Sequence, residues 1–273
     1  MGPLDGSPRS GTAHVIEDSQ LLYLDKLKLH GLIASYPELA FGLLHGMSTR
    51  VRELALWAPA ARDFPRADRP IAPIVSTRWS SEEARDRVNE AEDIMDRAGI
   101  RPGMTVADLG AGEGYYTVRL AERVGPRGRV LAEDILPEVI EALSRRITRE
   151  KWDNVSVKLG APEDPRLPEN SFDRIFMIHM YHEIAEPYAF LWHLSPALKT
   201  DGELIVVDAD RPTDQHGTPP RLLACELATM GFRLEELIPK PTAGGYFARF
   251  RRIVARPAPS SIVPCAINQR AQG

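Results

Sequence analysis

The stretch that decides the fold is VADLGAGEGYYTVRLAERVGPRGRVLAEDI, residues 106–135. It opens on an apolar run that closes at Asp108, turns through Gly110, Gly112 and Gly114, and ends on a second apolar run that closes at Asp134. Residues 104–109 and 129–134 read as strands and 114–124 as the helix between them. Strand, glycine turn and helix put the amides of the turn at the carboxyl end of the first strand, beside a helix N-terminus.

Outward from this unit the chain keeps alternating. A helix over 137–149 starts with Pro137, strands follow at 155–159 and 174–179, and a helix is expected over 187–198. A strand over 203–210 and a helix over 220–230 come next. Two last strands, 233–238 and 246–255, have only PKPTAGG between them. Alternating strands and helices imply parallel strands covered on both faces, and a closing pair without a crossover helix must be an antiparallel hairpin. Upstream, SSEEARDRVNEAEDIMDRAGIRPGM predicts one helix capped by Ser80 or Ser81, with Gly99 near its end. Pro59, Pro65, Pro70 and Pro73 mark an extended connector, and residues 19–56 read as helical, with a second helix starting at Pro37. The first 15 residues are polar and glycine-rich, and disorder is expected there.

Bulk composition is that of an ordinary globular chain, with 43% hydrophobic and 26% charged residues among 273. The net charge of −4 leaves no electrostatic footprint for a nucleic-acid backbone. No apolar run reaches a membrane-spanning length, so neither nucleic acid nor membrane is an expected partner. The stretch MSTRVRELALWAPAARDFP, from Met47, reads like a degenerate leader, but Glu53 interrupts it and a helix end is the preferred reading. Cys225 and Cys265 stand 40 residues apart, with no Cys/His cluster at zinc spacing. Neither a disulfide framework nor a metal is therefore expected, and a reducing, cytoplasmic setting is.

Two ligands compete for an acid on each side of a glycine turn. A dinucleotide needs G-x-G-x-x-G so that its pyrophosphate can approach the backbone. Here Tyr115 takes the place of the third glycine, and Asp108 would repel a diphosphate. The same carboxylate suits an ammonium, and S-adenosylmethionine (SAM) carries an ammonium and a sulfonium but no phosphate. Asp134 is placed to accept both ribose hydroxyls.

DLGAGEGYYT with RVLAEDI resembles motif I and the following acid of the class I SAM-dependent methyltransferases. LPENSFDRIFMIHMYHEI is similar to the family's fourth strand and its exit loop, and LKTDGELIVVDAD to its fifth strand. The resemblance covers about residues 78–255. It implies a doubly wound α/β sheet of seven strands in the order 3-2-1-4-5-7-6, with strand 7 antiparallel. Together with the helical pattern and prolines upstream, this divides the chain into a helical cap and Pro-rich connector (1–75), a SAM-binding domain (76–257) and a tail (258–273). By resemblance, Asp108, Gly110, Ala111, Gly112 and Glu113 hold the methionine part of SAM, Asp134 the ribose, and Ile135 packs on the adenine. The family's acid after strand three is displaced in Gly160-Ala161-Pro162-Glu163-Asp164, which leaves Glu163 or Asp164 for the adenine amino group. His179 falls where the family lines the cofactor cleft.

On the acceptor side, the loop after strand four reads His179-Met180-Tyr181-His182-Glu183. His182 is the leading candidate base, because imidazole titrates near neutrality. Tyr181 either positions the acceptor or packs. The next loop, DADRPTDQHGTPP, offers Asp208, Asp210 and Arg211 as substrate contacts and His216 as the alternative base. Arg78 and Trp79 either fold over the cofactor or staple a helix, and Tyr115 is a further substrate-side candidate. No Asn-Pro-Pro-Tyr or Asp-Pro-Pro-Tyr follows strand four, which argues against nucleobase and exocyclic amide acceptors. No cysteine sits in the cleft motifs. Metal-dependent transfer would use acids where the first strand-four position is a histidine, and is disfavoured. The expected activity is methyl transfer to an O or N atom of a small molecule or peptide natural product, and the alternative is a SAM-fold binding module without turnover. The N-terminal helices are read as shaping the substrate pocket or forming a homodimer contact.

Overall fold

The computed structural model describes residues 26–36, 40, 63–74 and 81–265. The chain divides into two compact units, Met1–Pro59 and Ala60–Gly273. In the first, helix α1 spans Lys26–Ser35. The other N-terminal helical expectations lie outside the described residues. The second unit carries the sheet.

Its sheet has seven strands: β1 (Thr105–Leu109), β2 (Arg129–Asp134), β3 (Val155–Leu159), β4 (Phe172–Ile178), β5 (Leu198–Asp208), β6 (Phe232–Lys240) and β7 (Gly245–Arg252). They are ordered β3-β2-β1-β4-β5-β7-β6. β1 to β5 are parallel, and β7 runs antiparallel to both β5 and β6. Helices α2 (Glu82–Arg87), α3 (Glu90–Arg97), α4 (Tyr115–Val124), α5 (Pro137–Glu150), α6 (Pro187–Leu194) and α7 (Pro220–Thr229) cover it.

The period-2 alternation of a strand sends neighbouring residues to opposite faces. On β5, Leu204 and Val206 enter one core with Tyr188, Leu191 and Leu227. Ile205 and Val207 enter the other with Ile94, Met95, Leu120 and Phe247. Both faces are apolar, as a sheet covered on two sides requires. At the glycine turn, Gly114 caps α4 with φ 90°, and an added Cβ would stand 2.5 Å from Leu143 Cδ1 on α5. Only glycine satisfies both the backbone and the space.

Three features depart from the sequence reading. The single helix expected over the SSEEARDRVNEAEDIMDRAG stretch is broken into α2 and α3, because Asn89 adopts a left-handed conformation (φ 55°). The break turns Glu90 inward, where its carboxylate accepts from Arg85 at 2.5 Å and from the Tyr116 hydroxyl at 3.1 Å. The two cysteines, expected to be free, form a disulfide, with Cα atoms 6.1 Å apart. It ties α7 to residues 259–265, whose Ile262 is buried in the core and whose Cys265 amide donates to the Tyr188 hydroxyl. Forty residues of sequence separation gave no sign of that proximity, since the β6–β7 hairpin returns the chain to its starting point. Finally, residues 63–74 pack on this unit rather than on a separate cap. Phe64 is buried beside Trp192, and Arg69 reaches Glu226.

Candidate active site

The carboxyl edge of the sheet opens into a cavity of about 790 Å³, lined by the glycine turn and by the exits of β1, β2 and β4. This is where parallel α/β sheets hold ligands, at the point where strand order reverses. On the β1–β2 side the wall carries Asp108, Gly110, Ala111, Gly112, Glu113, Glu133, Asp134 and Ile135. Asp108 accepts a 2.6 Å hydrogen bond from the Thr117 hydroxyl, and burial pushes its carboxyl up to about 6. Asp134 accepts from the amides of Gly112 (3.1 Å) and Leu136 (3.0 Å), so the same carboxylate clasps the glycine turn and starts α5. Glu133 is buried, with the Asp134 charge beside it; burial first and that charge second push its carboxyl up to about 8. Among the described residues, its Oε1 has no hydrogen-bond partner. Gly160 makes room for this carboxyl, for a Cβ there would stand 1.6 Å from Glu133 Oε1. Two buried carboxyls held toward neutrality fit a ligand that brings positive charge to them.

Over this wall, Arg85 stacks 3.8 Å from the Tyr115 ring centroid, and Arg119 lies 3.9 Å from it. The Tyr115 hydroxyl donates to Asp86 at 2.9 Å. Glu90 sits below, with His179 Nε2 at 3.7 Å from its Oε1. Burial opposes its charge, but His179 and Arg85 outweigh it and hold the carboxyl down at about 2. His179 closes β4 with φ 55°, a backbone that non-glycine residues rarely adopt.

The β4–β5 side is built around His182. Its Nδ1 lies 2.9 Å from Asp208 Oδ1, and both side chains are buried. Asp208 also accepts from the Thr218 hydroxyl (2.7 Å) and from the Ala209 amide (2.8 Å). A carboxylate only accepts, so the imidazole donates from Nδ1 to Asp208. Nε2 lies 4.0 Å from Glu183 Oε1, and the His216 ring packs edge-on at 5.6 Å between centroids. Glu183 belongs to the cavity wall. A strap formed by residues 69–72 holds the two loops together. Arg69 donates to the carbonyls of Tyr181 and Ile184, the Ala72 amide to that of His182, and Thr213 to that of Pro70.

Residues 100–236 match the sequence family described as "Methyltransferase domain". The chain belongs to the SAM-dependent methyltransferases. It is 29% identical over 164 residues to a protein-L-isoaspartate O-methyltransferase of Methanothrix thermoacetophila, covering 59% of this chain and 74% of that protein. It is 26% identical over 121 residues to a ubiquinone/menaquinone biosynthesis C-methyltransferase of Hahella chejuensis, covering 44% of this chain but only 49% of that relative. A SAM-dependent methyltransferase of Aquifex aeolicus shares the fold, with a TM-score of 0.54 at 24% identity over 63% of this chain and 97% of that one.

The methyltransferase cavity brings together Asp108, the glycine turn, Asp134, Ile135, Tyr115 and His179. It leaves out Glu163 and Asp164, and also the two candidate bases, His182 and His216, of which His182 adjoins the wall residue Glu183. Pro162 takes the wall position, the Asp164 carboxylate accepts from the Arg166 amide at 2.7 Å, and the Glu163 carbonyl lies 3.0 Å from the His193 ring nitrogen. Tyr181 is fully buried, and its hydroxyl donates to Glu226 at 2.7 Å, so it packs and does not meet an acceptor. Asp208 holds His182 in place of substrate, while Asp210 and Arg211 are exposed and off the cavity wall. Arg78 and Trp79 lie outside the described residues. Sequence reasoning missed Arg85, Glu90, Glu133 and Glu183. The adjacent acids of Glu133-Asp134 were the available sign for one of them, since two carboxyls rarely end a buried strand without a ligand.

Proposed function

We propose that this methyltransferase acts on an oxygen or nitrogen atom of a small molecule or peptide, with the Asp208–His182 pair activating the acceptor. Residues Asp108, Gly110, Ala111, Gly112 and Glu113 would hold the methionine part of SAM, Asp134 the ribose, and Ile135 the adenine face. Bound there, SAM supplies an electrophilic methyl group. Since a sulfonium is already a good leaving group, this chain's residues are needed to orient the reactants, exclude water and dispose of the acceptor's proton. The observation that carries the reading is the buried Asp208–His182 contact at 2.9 Å, beside a wall residue, Glu183, of the cavity. A protonated hydroxyl or amine needs such a group, whereas an acceptor already nucleophilic at working pH does not. The Methanothrix relative is named for O-methylation and the Hahella relative for C-methylation, and the His182 pair favours the former kind of acceptor.

Calorimetry of the purified chain with S-adenosylhomocysteine, with NAD as control and Asp134→Ala as second protein, tests the cofactor. Screening O-H and N-H acceptors with methyl-labelled SAM, in wild type and His182→Gln, tests the reaction. Label transfer lost in His182→Gln, with product-cofactor affinity retained, is the expected result. Transfer at the wild-type rate in His182→Gln overturns the role of the pair.

A further inference from the structure

We infer that His182, Glu183 and His216 form a binding site for a divalent transition-metal ion of the zinc type. Each residue offers one donor atom, and the three atoms lie within 4.8 Å of one another. In a tetrahedral zinc site donors stand about 3.4 Å apart, given metal–ligand distances of about 2.0–2.2 Å. Closing the cluster therefore requires side-chain rotations of roughly 1 Å, not a rebuilt loop.

Three independent features of the fold favour it. Asp208 holds Nδ1 of His182 and so leaves Nε2, the nitrogen nearest Glu183, to coordinate. A carboxylate behind a ligating imidazole is the usual outer-shell partner in such sites, where it fixes the ring and raises its basicity. Asp208 itself is not a ligand, since its oxygens are taken up by His182, Thr218 and the Ala209 amide. His216 is aimed by its backbone. It adopts a left-handed φ of 55°, and the turn behind it is tight, with the Thr218 amide donating to the Ala209 carbonyl at 2.8 Å. Gly217 permits that turn, because a Cβ there would stand 2.5 Å from the same carbonyl. Two imidazoles and one carboxylate are a borderline-soft donor set suited to zinc, cobalt, manganese or iron, not to the all-oxygen preference of magnesium or calcium.

Three protein donors leave a fourth position. Of the three, Glu183 lines the methyltransferase cavity, and a fourth position open on its side would face the acceptor. With Nε2 of His182 on the ion, the proton of an acceptor oxygen bound there would pass to solvent, and the Asp208–His182 pair would activate the acceptor through the ion in place of acting as the base. This role rests on the proposed methyl-transfer reading and names its substrate class, a hydroxyl- or carboxylate-bearing acceptor that can coordinate through oxygen. Cation binding itself does not depend on that reading.

The test uses the untagged full chain, stripped with a chelator and titrated with Co²⁺ in the visible range and with Zn²⁺ by calorimetry. One equivalent of Co²⁺ with the intense absorption of a four-coordinate centre is expected, displaced by Zn²⁺. His216→Ala should weaken Zn²⁺ binding at least tenfold, and Asp208→Asn by about 10–100-fold. S-adenosylhomocysteine affinity, measured on the same samples, serves as the folding control and should not change in His216→Ala. Absence of a cobalt spectrum in the wild type overturns the site. So does equal Zn²⁺ affinity in wild type and His216→Ala, which would put the ion elsewhere. If the ion binds as described and S-adenosylhomocysteine does not, the metal site stands and the methyl-transfer reading falls; the converse result removes the site alone.

Discussion

The two rims of the cavity treat their acids in opposite ways. At the β1–β2 rim, Asp108 and Glu133 are buried with few donors, and burial pushes them up to about 6 and about 8. At the β4–β5 rim, Asp208 is equally buried but takes donors from a histidine, a threonine and a backbone amide. The first rim is short of positive charge and polar partners, and a cationic ligand supplies both. At the second, the acid is satisfied by the protein itself, so Asp208 orients His182 before any ligand arrives, which is what catalysis by orientation requires. One rim is built to receive, the other to hold still.

The largest test of that contrast lies beneath the second rim. Arg69 and Glu226 form a buried ion pair at 3.0 Å, and Glu226 also takes the Tyr181 hydroxyl. Arg69→Met should cost about 3–5 kcal/mol in denaturant unfolding, because it leaves a buried carboxylate without its cation. A loss below about 1 kcal/mol would show that the strap does not hold this rim, against the usual cost of breaking such a pair. Next, Asp208→Asn should lower kcat by about 100-fold while S-adenosylhomocysteine affinity stays within twofold, since the amide no longer enforces the Nδ1–H tautomer. A fall in both would mean that the two rims are one unit.

Much of this was legible beforehand. Strand order and the glycine turn follow from alternation and from the 106–135 stretch, because buried parallel strands are apolar on both faces and glycines mark the turn. What escaped were properties of proximity. Glu90 reaches Arg85 and Tyr116 of the cavity wall only because Asn89 breaks the helix, and nothing in the local pattern of 82–97 requires that break. Tyr181 beside His182 was ambiguous until its hydroxyl was found on Glu226, 45 residues away. The cysteine pair failed for the same reason.

A smaller effect is expected at the first rim. Asp134→Ala removes the acceptor of two backbone amides and, on the proposed reading, of the ribose hydroxyls, and should weaken S-adenosylhomocysteine binding by about 10–100-fold, or about 1.5–3 kcal/mol. An unchanged affinity would assign the ribose to Glu133. The smallest effect is the most specific. Asp108 and Glu133 keep their protons in the folded chain after the unfolded chain has lost them, so their contribution to stability falls as pH rises from the ordinary carboxyl range toward about 8. A cation reverses this by favouring the ionised forms. SAM affinity should therefore rise through pH 6 to 8, with proton release visible as a buffer-dependent binding enthalpy. S-adenosylhomocysteine, which lacks the sulfonium charge, should release fewer protons. Equal release by the two would place the sulfonium away from both acids.

The bond between Cys225 and Cys265 has a mechanical consequence. It encloses β6 and β7 in a closed ring of chain, entered from α7 and left beside it. Tension applied beyond Cys265 would pass straight through the sulfurs into α7, and the hairpin at the sheet's edge would carry none of it. β7, the strand that pairs with β5 and backs Asp208 at Tyr246, is thereby insulated from a pull on that end. Only after reduction would the same force peel β7 from its neighbour and disturb the rim that holds His182.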